Sequence, residues 1–233
     1  MKMLGIVGGI GPESTIEYYR QLVAGFRQRV SDVSSPPLLI DSIDVSRVLR
    51  LAAAPERRDL VGYLLESVSR LARAGADFAL MAANTPHLVF DEVAAAAPIP
   101  LVSIVQATCD FAKSHGLNRL GLFGTRFTMQ AGFYEKVFQR QKLAIVLPGA
   151  DEQAYIHDKY VQELINGVFL PDTRQRLQHI ARELRKRDHI DALILGGTEL
   201  PLVLHDDGGI GIPLLDTTQI HVTAALASMT SSI

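Results

Sequence analysis

Two short polar loops carry residues that could bind a carboxylate, and each follows an apolar run typical of a buried strand. Residues 82–87 (AANTPH) follow the run 77–81, and residues 196–200 (GGTEL) follow the run 191–195. Ligands of open α/β sheets gather at the carboxyl ends of parallel strands. We therefore predict that both loops belong to a ligand site, although neither loop contains a cysteine or a serine.

His87 and Glu199 are the titratable side chains of these two loops. Burial in a cleft would bring the pKa of either group toward neutrality, where proton transfer is most effective. Both residues are therefore candidates for direct proton transfer. The alternative is structural: His87 would start a helix, and Glu199 would lie in a first helical turn, where a carboxylate interacts favourably with the helix dipole.

Two glycine-rich turns, at residues 5–15 and 121–129, could add backbone amides that hold an anion. Glycine lets amide groups approach an anion at a helix N-terminus, and Gly9 is the candidate in the first turn. The alternative is that the glycines serve turn geometry alone. Neither turn has a Rossmann fingerprint or a Walker lysine, so we expect no nucleotide cofactor.

Short hydrogen-bonding side chains accompany these segments and suit the oxygens of a small carboxylate without a metal. They are Asn84, Thr85, Thr125, Thr128 and Thr198. Their more common role is to cap helices or to satisfy loops. The histidines at 157, 205 and 221 are too scattered to suggest a metal site.

Alternating strand-like and helical patterns predict an α/β fold with parallel sheets. The predicted strands are residues 3–7, 37–41, 78–81, 101–104, 119–123, 144–147, 192–195 and 212–215. Amphipathic stretches that should cover the sheets are residues 14–30, 56–74, 130–140, 151–166 and 172–187.

The second half of the chain repeats the order of the first. Each half has a glycine-rich strand-to-helix turn, a second strand, a helical stretch and a strand that ends in a threonine-containing loop. We therefore expect two similar lobes, each a parallel sheet flanked by helices, with the site in the interlobe cleft. The prolines in 98–100 would mark the first crossover, and the return would lie near residues 205–209.

Composition favours a globular protein whose partner is a small molecule. The chain is 48% apolar, and 23 basic residues against 25 acidic ones leave no basic surface for nucleic acid. No apolar run approaches the roughly 20 residues that span a bilayer, so we expect no membrane contact and a cytoplasmic location. The single cysteine, Cys109, lies in a helical segment and is expected to be a buried structural thiol.

The segments 5–15, 82–87, 121–129 and 196–200 resemble the aspartate/glutamate racemase family, and the resemblance extends over nearly the whole chain. It implies lobes of residues 1–100 plus 206–233 and of residues 101–205. It also implies an amino-acid racemase that works without pyridoxal phosphate or another cofactor, as a homodimer. The family's polar loop groups hold the substrate α-carboxylate, which gives the residues above the same expected role.

The family usually carries a cysteine in both late loops, and the matching positions here are Ala83 and Gly197. These two positions are therefore expected to line the substrate site. A methyl group and a hydrogen atom cannot transfer protons, so the resemblance excludes the usual two-thiol mechanism.

Arg47 and Lys159 lie in segments comparable with those in which family members place basic residues. They are candidates for binding the distal carboxylate of an acidic amino acid, and a bidentate guanidinium would select such a side chain. Arg50, Arg57 and Arg58 are nearby competitors.

Three functions remain open from the sequence. The first is an atypical racemase or isomerase that uses His87, Glu199 or a bound water. The second is a non-catalytic binder of a small acidic metabolite. The third is a lyase or a cis–trans isomerase that acts on a different carboxylic acid.

Overall fold

A computed structural model describes residues 1–30, 35–206 and 208–230. Its contacts divide the chain into two units, which we call lobe one and lobe two. Lobe one contains Met1–Ile104 and the C-terminal segment that begins at Thr218, and lobe two contains Val105–Thr217. Position 207, in the predicted return between the lobes, and positions 231–233 lie outside the described residues.

Lobe one contains a four-stranded parallel sheet with the strand order β2-β1-β3-β4. Its strands are β1 (Leu4–Gly8), β2 (Leu38–Ser42), β3 (Phe78–Met81) and β4 (Leu101–Val102). Its helices are α1 (Pro12–Arg27), α2 (Val45–Ala52), α3 (Arg58–Arg73) and α4 (Phe90–Ala96). Both β1 and β3 are buried along their whole length, as expected for parallel strands that are covered on both faces.

Lobe two repeats this arrangement with the strand order β6-β5-β7-β8, again all parallel. Its strands are β5 (Arg119–Gly124), β6 (Ala144–Val146), β7 (Ala192–Gly196) and β8 (Leu214–Asp216). The helices from the crossover onward are α5 (Ile104–Ser114), α6 (Arg126–Gln130), α7 (Phe133–Arg140), α8 (Ala150–Gln162), α9 (Pro171–Asp188), α10 (Leu200–Val203) and α11 (Thr217–Thr230).

Helical spacing of apolar residues builds each core. In lobe one, Tyr18, Leu22 and Phe26 recur every fourth residue along α1 and pack with the strands and with α11 residues such as Leu226. In lobe two, the buried faces of α8 and α9 pack against β7, where Leu193 and Leu195 are both buried. A stripe at this spacing is what an amphipathic helix needs to cover one face of a sheet.

The structure confirms the predicted two-lobed α/β fold, and each predicted strand lies within two residues of an observed one. The helical stretch predicted over 130–140 corresponds to α7, which begins three residues later because Gly132 adopts a left-handed φ of 75° and separates it from α6. Strand β8 joins the second sheet, so lobe two extends to Thr217, whereas the sequence placed the boundary after residue 205. Among the described residues, no helix has the length and apolar character required to span a membrane.

Candidate functional site

In each lobe the two predicted ligand loops follow neighbouring strands. Strand β1 pairs with β3 through Val7 and Met81, and β5 pairs with β7 through Gly124 and Gly196. Because the carboxyl ends of parallel strands meet at one edge, the glycine-rich turn and the late loop of each lobe lie side by side. This is the edge of an open α/β sheet at which ligands bind.

Gly9 is required by the geometry of the first turn. Its φ is 77°, and a Cβ atom built there would lie 2.6 Å from Ser42 Oγ and 2.7 Å from the Ile43 nitrogen. Its amide donates to Thr15 Oγ1 at 2.8 Å, so this N–H already satisfies the turn itself. Anion binding by Gly9 stays a prediction, and it would have to compete with Thr15.

The loop that contains Ala83 is tied to its own lobe on both sides. The Ala82 amide donates to the Val7 carbonyl at 3.0 Å, and the Ser14 hydroxyl donates to the Ala82 carbonyl at 2.6 Å. Asn84 and Thr85, with Ala83, are buried residues of this loop. Sequence analysis missed Ser14 as a positioning residue, since its partner lies 68 residues away.

Both ring nitrogens of His87 are hydrogen-bonded. The Ile104 amide donates to Nε2 at 3.1 Å, so Nδ1 carries the proton and donates to the Ala83 carbonyl at 3.1 Å. Burial, reinforced by the nearby His221, lowers the pKa of His87 to about 3. The neutral ring holds the loop in place, and proton transfer by His87 stays a prediction that would require one of these bonds to break.

A second neutral imidazole, His221, lies in the same core. Tyr18 donates its hydroxyl proton to Nδ1 at 2.8 Å, and Nε2 donates to the Val102 carbonyl at 3.0 Å. Burial lowers the pKa of His221 to about 4. The rings of His87 and His221 lie 6.2 Å apart between centroids. Lobe one therefore contains two uncharged histidines that both serve its internal packing.

The two basic candidates differ in how they are partnered. The exposed Arg47 guanidinium lies 4.1 Å from the centre of the Tyr63 ring. Lys159 of helix α8 forms an ion pair with Glu163, the residue that follows the helix, and this hydrogen bond raises the pKa of Lys159. Arg47 therefore presents its charge at the surface of lobe one, whereas the Lys159 charge is already paired within lobe two.

Thr125 and Thr128 adopt the capping role that sequence analysis named as the alternative. Thr125 Oγ1 accepts from the Thr128 amide at 3.3 Å and lies 3.2 Å from Thr128 Oγ1. The fully buried Thr128 also packs against β5 and β7, because a Cβ atom at Gly124 would lie 2.8 Å from both Thr128 Cβ and the Gly196 carbonyl oxygen. Carboxylate binding by these hydroxyls stays a prediction.

The late loop of lobe two packs against Tyr160 of α8. A Cβ atom at Gly197 would lie 2.7 Å from the Tyr160 hydroxyl oxygen and 2.8 Å from Cζ, so the ring occupies the space of a side chain at this position. The Tyr160 hydroxyl donates to Glu199 Oε2, and Thr198 donates to the same oxygen at 2.8 Å. Burial, and then the charge of Glu199, raises the pKa of Tyr160 well above its usual range.

Sequence analysis did not identify Tyr160 as a site residue. It follows Ile156 by four positions on the buried face of α8, a spacing that predicts only a core residue. Its polar partner Glu199 lies 39 residues away. Within the described residues, no three His, Cys, Asp or Glu side chains group closely enough to hold a metal ion.

Two parallel four-stranded sheets, each flanked by helices, match the two-lobed α/β fold of known racemases. A family model described as Asp/Glu/Hydantoin racemase matches residues 7–225, and the chain belongs to this family.

Individual relatives match over the whole length. The chain is 26% identical over 237 residues to the Broad specificity amino-acid racemase RacX of Bacillus subtilis (strain 168). The alignment covers 99% of this chain and 97% of RacX. The crystal structure of an aspartate racemase homologue, PH1733, from Pyrococcus horikoshii OT3 is 32% identical with a TM-score of 0.86, over 99% of this chain and 100% of that one. A candidate Asp/Glu racemase from Yersinia pestis is 28% identical with a TM-score of 0.90 over the same shares.

The two neutral histidines predict a stability that decreases in mild acid. The unfolded chain binds protons at these histidines below about pH 6.5, whereas the folded chain does not. The free energy of unfolding should therefore be nearly constant above about pH 7.5 and should fall by about 2–3 kcal/mol per pH unit between pH 6 and 5. Urea unfolding followed by circular dichroism measures this slope.

A matched pair of variants assigns the slope to its source. His221→Gln should remove about half of it, because one of two titrating groups is lost. His115→Gln, at an exposed position, should leave it unchanged. A stability that stays constant between pH 7.5 and 5 would contradict the assignment of neutral buried imidazoles.

Packing of Tyr160 against Gly197 predicts that a side chain at 197 is poorly tolerated. Gly197→Cys should destabilise lobe two by about 1–3 kcal/mol, as overpacking of a filled core does. In the double variant with Tyr160→Ala the two effects should not add, because the smaller residue vacates the space. Gly149→Cys is the control, since a Cβ atom there lies 3.5 Å from its nearest neighbour, Glu152 Oε2. Additive effects of Gly197→Cys and Tyr160→Ala in urea unfolding would refute the steric account.

Proposed function

We propose that this protein is a cofactor-independent isomerase that acts on, or at least binds, a small acidic amino acid or a related carboxylate without the usual two-cysteine mechanism. The observation that carries the proposal is the family match over residues 7–225. It is supported by the names of the relatives: RacX is a broad specificity amino-acid racemase, and the Pyrococcus protein is an aspartate racemase homologue.

The proposal of a mechanism without thiols rests on the chemistry of the residues present. Ala83 and Gly197 stand, in this proposal, where the family carries its cysteines. The single cysteine of the chain, Cys109, is fully buried in α5, and burial raises the pKa of its thiol to about 11. A thiol that keeps its proton at neutral pH is a poor base.

The proposed substrate contacts are polar loop groups and one exposed cation. On lobe one we assign them to Gly9, Asn84, Thr85 and Arg47, beside Ala83. On lobe two we assign them to Thr125, Thr128, Thr198 and Lys159, beside Gly197. Arg47 is the better candidate for a distal carboxylate, because Lys159 would first have to leave its ion pair with Glu163.

Three further properties belong to the same proposal. The protein works without pyridoxal phosphate, as a homodimer, and in the cytoplasm. Membership of the racemase family supports the first two proposals, and a single cysteine, which cannot form an internal disulfide, supports the third.

A non-catalytic binding function is the second candidate. It is favoured by the state of His87, whose two ring nitrogens are both occupied, and by the two hydrogen bonds that Glu199 already accepts. A binder would give a thermal shift with its ligand and no turnover.

Incubation with L- and D-aspartate and with L- and D-glutamate in deuterium oxide tests the proposed activity. We expect loss of the α-proton NMR signal at a rate well above that of heat-inactivated protein, because a racemase must break the α-C–H bond. Other amino acids should be included, since RacX has broad specificity. A rate equal to the buffer rate for every amino acid would refute the isomerase and leave the binder.

A further inference from the structure

A hydrogen-bonded cluster of Tyr160, Thr198 and Glu199 occupies the edge of lobe two beside Gly197. Glu199 is only 5% exposed and Tyr160 only 7%. The carboxylate is thus held in a largely dry environment by a phenol from α8 and by a hydroxyl from its own loop. Such preorganised donors are typical of a carboxylate with a defined orientation.

The hydrogen bonds to this carboxylate are asymmetric. Tyr160 and Thr198 both donate to Oε2. No hydrogen bond from the described residues reaches Oε1, which leaves this oxygen able to accept a proton from another molecule.

The cluster also occupies the space in which a side chain at 197 would begin. The Tyr160 hydroxyl oxygen lies 2.7 Å from the position of a Cβ atom on Gly197. The Tyr160 phenol thus lies beside Gly197, a residue that has no side chain of its own.

We propose that Glu199 is the catalytic acid–base residue of this loop, and that Tyr160 is the positioning residue that fixes Glu199 and replaces the missing side chain at 197. This inference rests on the proposed isomerase function and specifies its chemistry as proton exchange by one protein base, with inversion when water supplies the second proton. Oε1 of Glu199 removes the α-proton of the bound carboxylic acid, while Tyr160 and Thr198 continue to donate to Oε2.

The step balances within these groups and the solvent. The α-C–H bond breaks, its electron pair moves into the substrate α-carboxylate to give an enediolate, and the proton forms an O–H bond with Oε1. That proton exchanges with solvent water. Oε1 mostly returns a solvent proton to the α-carbon from the same side, and the electron pair reforms the C–H bond. In the slower, isomerising turnover a water molecule on the opposite face donates this proton instead, and Glu199 then gives its proton to the hydroxide that remains.

Tyr160 remains a donor throughout this cycle. Burial and the adjacent carboxylate keep the pKa of Tyr160 well above its usual range, so the phenol retains its proton at neutral pH. Because Oε1 usually removes and returns the proton on one side, most of the deuterium incorporation should retain the configuration. Exchange should therefore be faster than inversion.

The test measures deuterium incorporation by NMR and inversion by chiral chromatography in the same samples of L-aspartate and L-glutamate. For the wild-type protein, exchange should exceed inversion by at least about tenfold. Glu199→Gln should lower kcat for exchange by about 100-fold or more, with KM changed only a few-fold, as loss of a general base does. Melting curves establish that each variant is folded.

Tyr160→Phe is the informative variant, because it removes one hydroxyl and keeps the ring. It should lower kcat for exchange by about tenfold with KM changed only a few-fold, because Glu199 loses a hydrogen-bond donor that fixes the orientation of its carboxylate. A merely structural tyrosine would change the melting temperature without this split between kcat and KM. Tyr155→Phe on the same helix is the matched control and should behave as wild type.

The outcomes separate this inference from the proposed function. Wild-type exchange with normal rates in Glu199→Gln or Tyr160→Phe would overturn the inference and leave the isomerase standing. Inversion as fast as exchange would overturn the one-base mechanism. An absence of exchange in the wild-type protein would overturn both proposals at once.

Discussion

Close approach of strands and helices at the carboxyl edge of each sheet is the constraint on which the candidate site depends. In lobe two, β5, β7 and α6 meet where Gly124 and Gly196 leave no room for a Cβ atom, and Thr128 fills the remaining space. At Gly197 the same crowding comes from Tyr160. Glycine at these three positions lets Thr128 and Tyr160 pack closely against the backbone. This packing places the side chains of both residues beside the loop that contains Gly197.

In lobe one, hydrogen bonds hold the loop that contains Ala83 at the carboxyl edge of the sheet. His87 connects the Ala83 carbonyl to the Ile104 amide, and Ser14 holds the neighbouring carbonyl of Ala82. A buried imidazole with a hydrogen bond at each ring nitrogen is stabilised in its neutral form. The two lobes thus share a topology but differ in what supports the loop: a neutral imidazole in lobe one and a phenol–carboxylate pair in lobe two.

Much of the fold could be predicted from local pattern. A continuous apolar run, such as that of β7, indicates a buried strand, and apolar residues at every fourth position, such as Tyr18, Leu22 and Phe26, indicate the buried face of a helix. The start of α7 was predicted three residues too early, since a glycine within a helical pattern is often tolerated. The late loops were found for the same local reason, as each directly follows a buried strand.

The partners of the loop residues could not be predicted in this way. In the sequence, Tyr160 has the pattern of an ordinary core residue, and only the structure shows its hydrogen bond to Glu199. The hydrogen bond from the Ile104 amide to His87 likewise joins groups 17 residues apart. Long-range hydrogen bonds have no signature in sequence periodicity. The resemblance to a family predicted that positions 83 and 197 line the site, but it did not indicate that Tyr160 occupies the space beside Gly197.

The central claim is that the chemistry of this racemase-family protein does not use a thiol. Cys109 is the only cysteine in the sequence, so Cys109→Ala gives a protein that contains no thiol at all. We would measure deuterium incorporation into L-aspartate and L-glutamate for this variant beside the wild-type protein, with melting curves to verify folding. The account predicts incorporation within about twofold of wild type, whereas a folded variant that has lost all incorporation would contradict it.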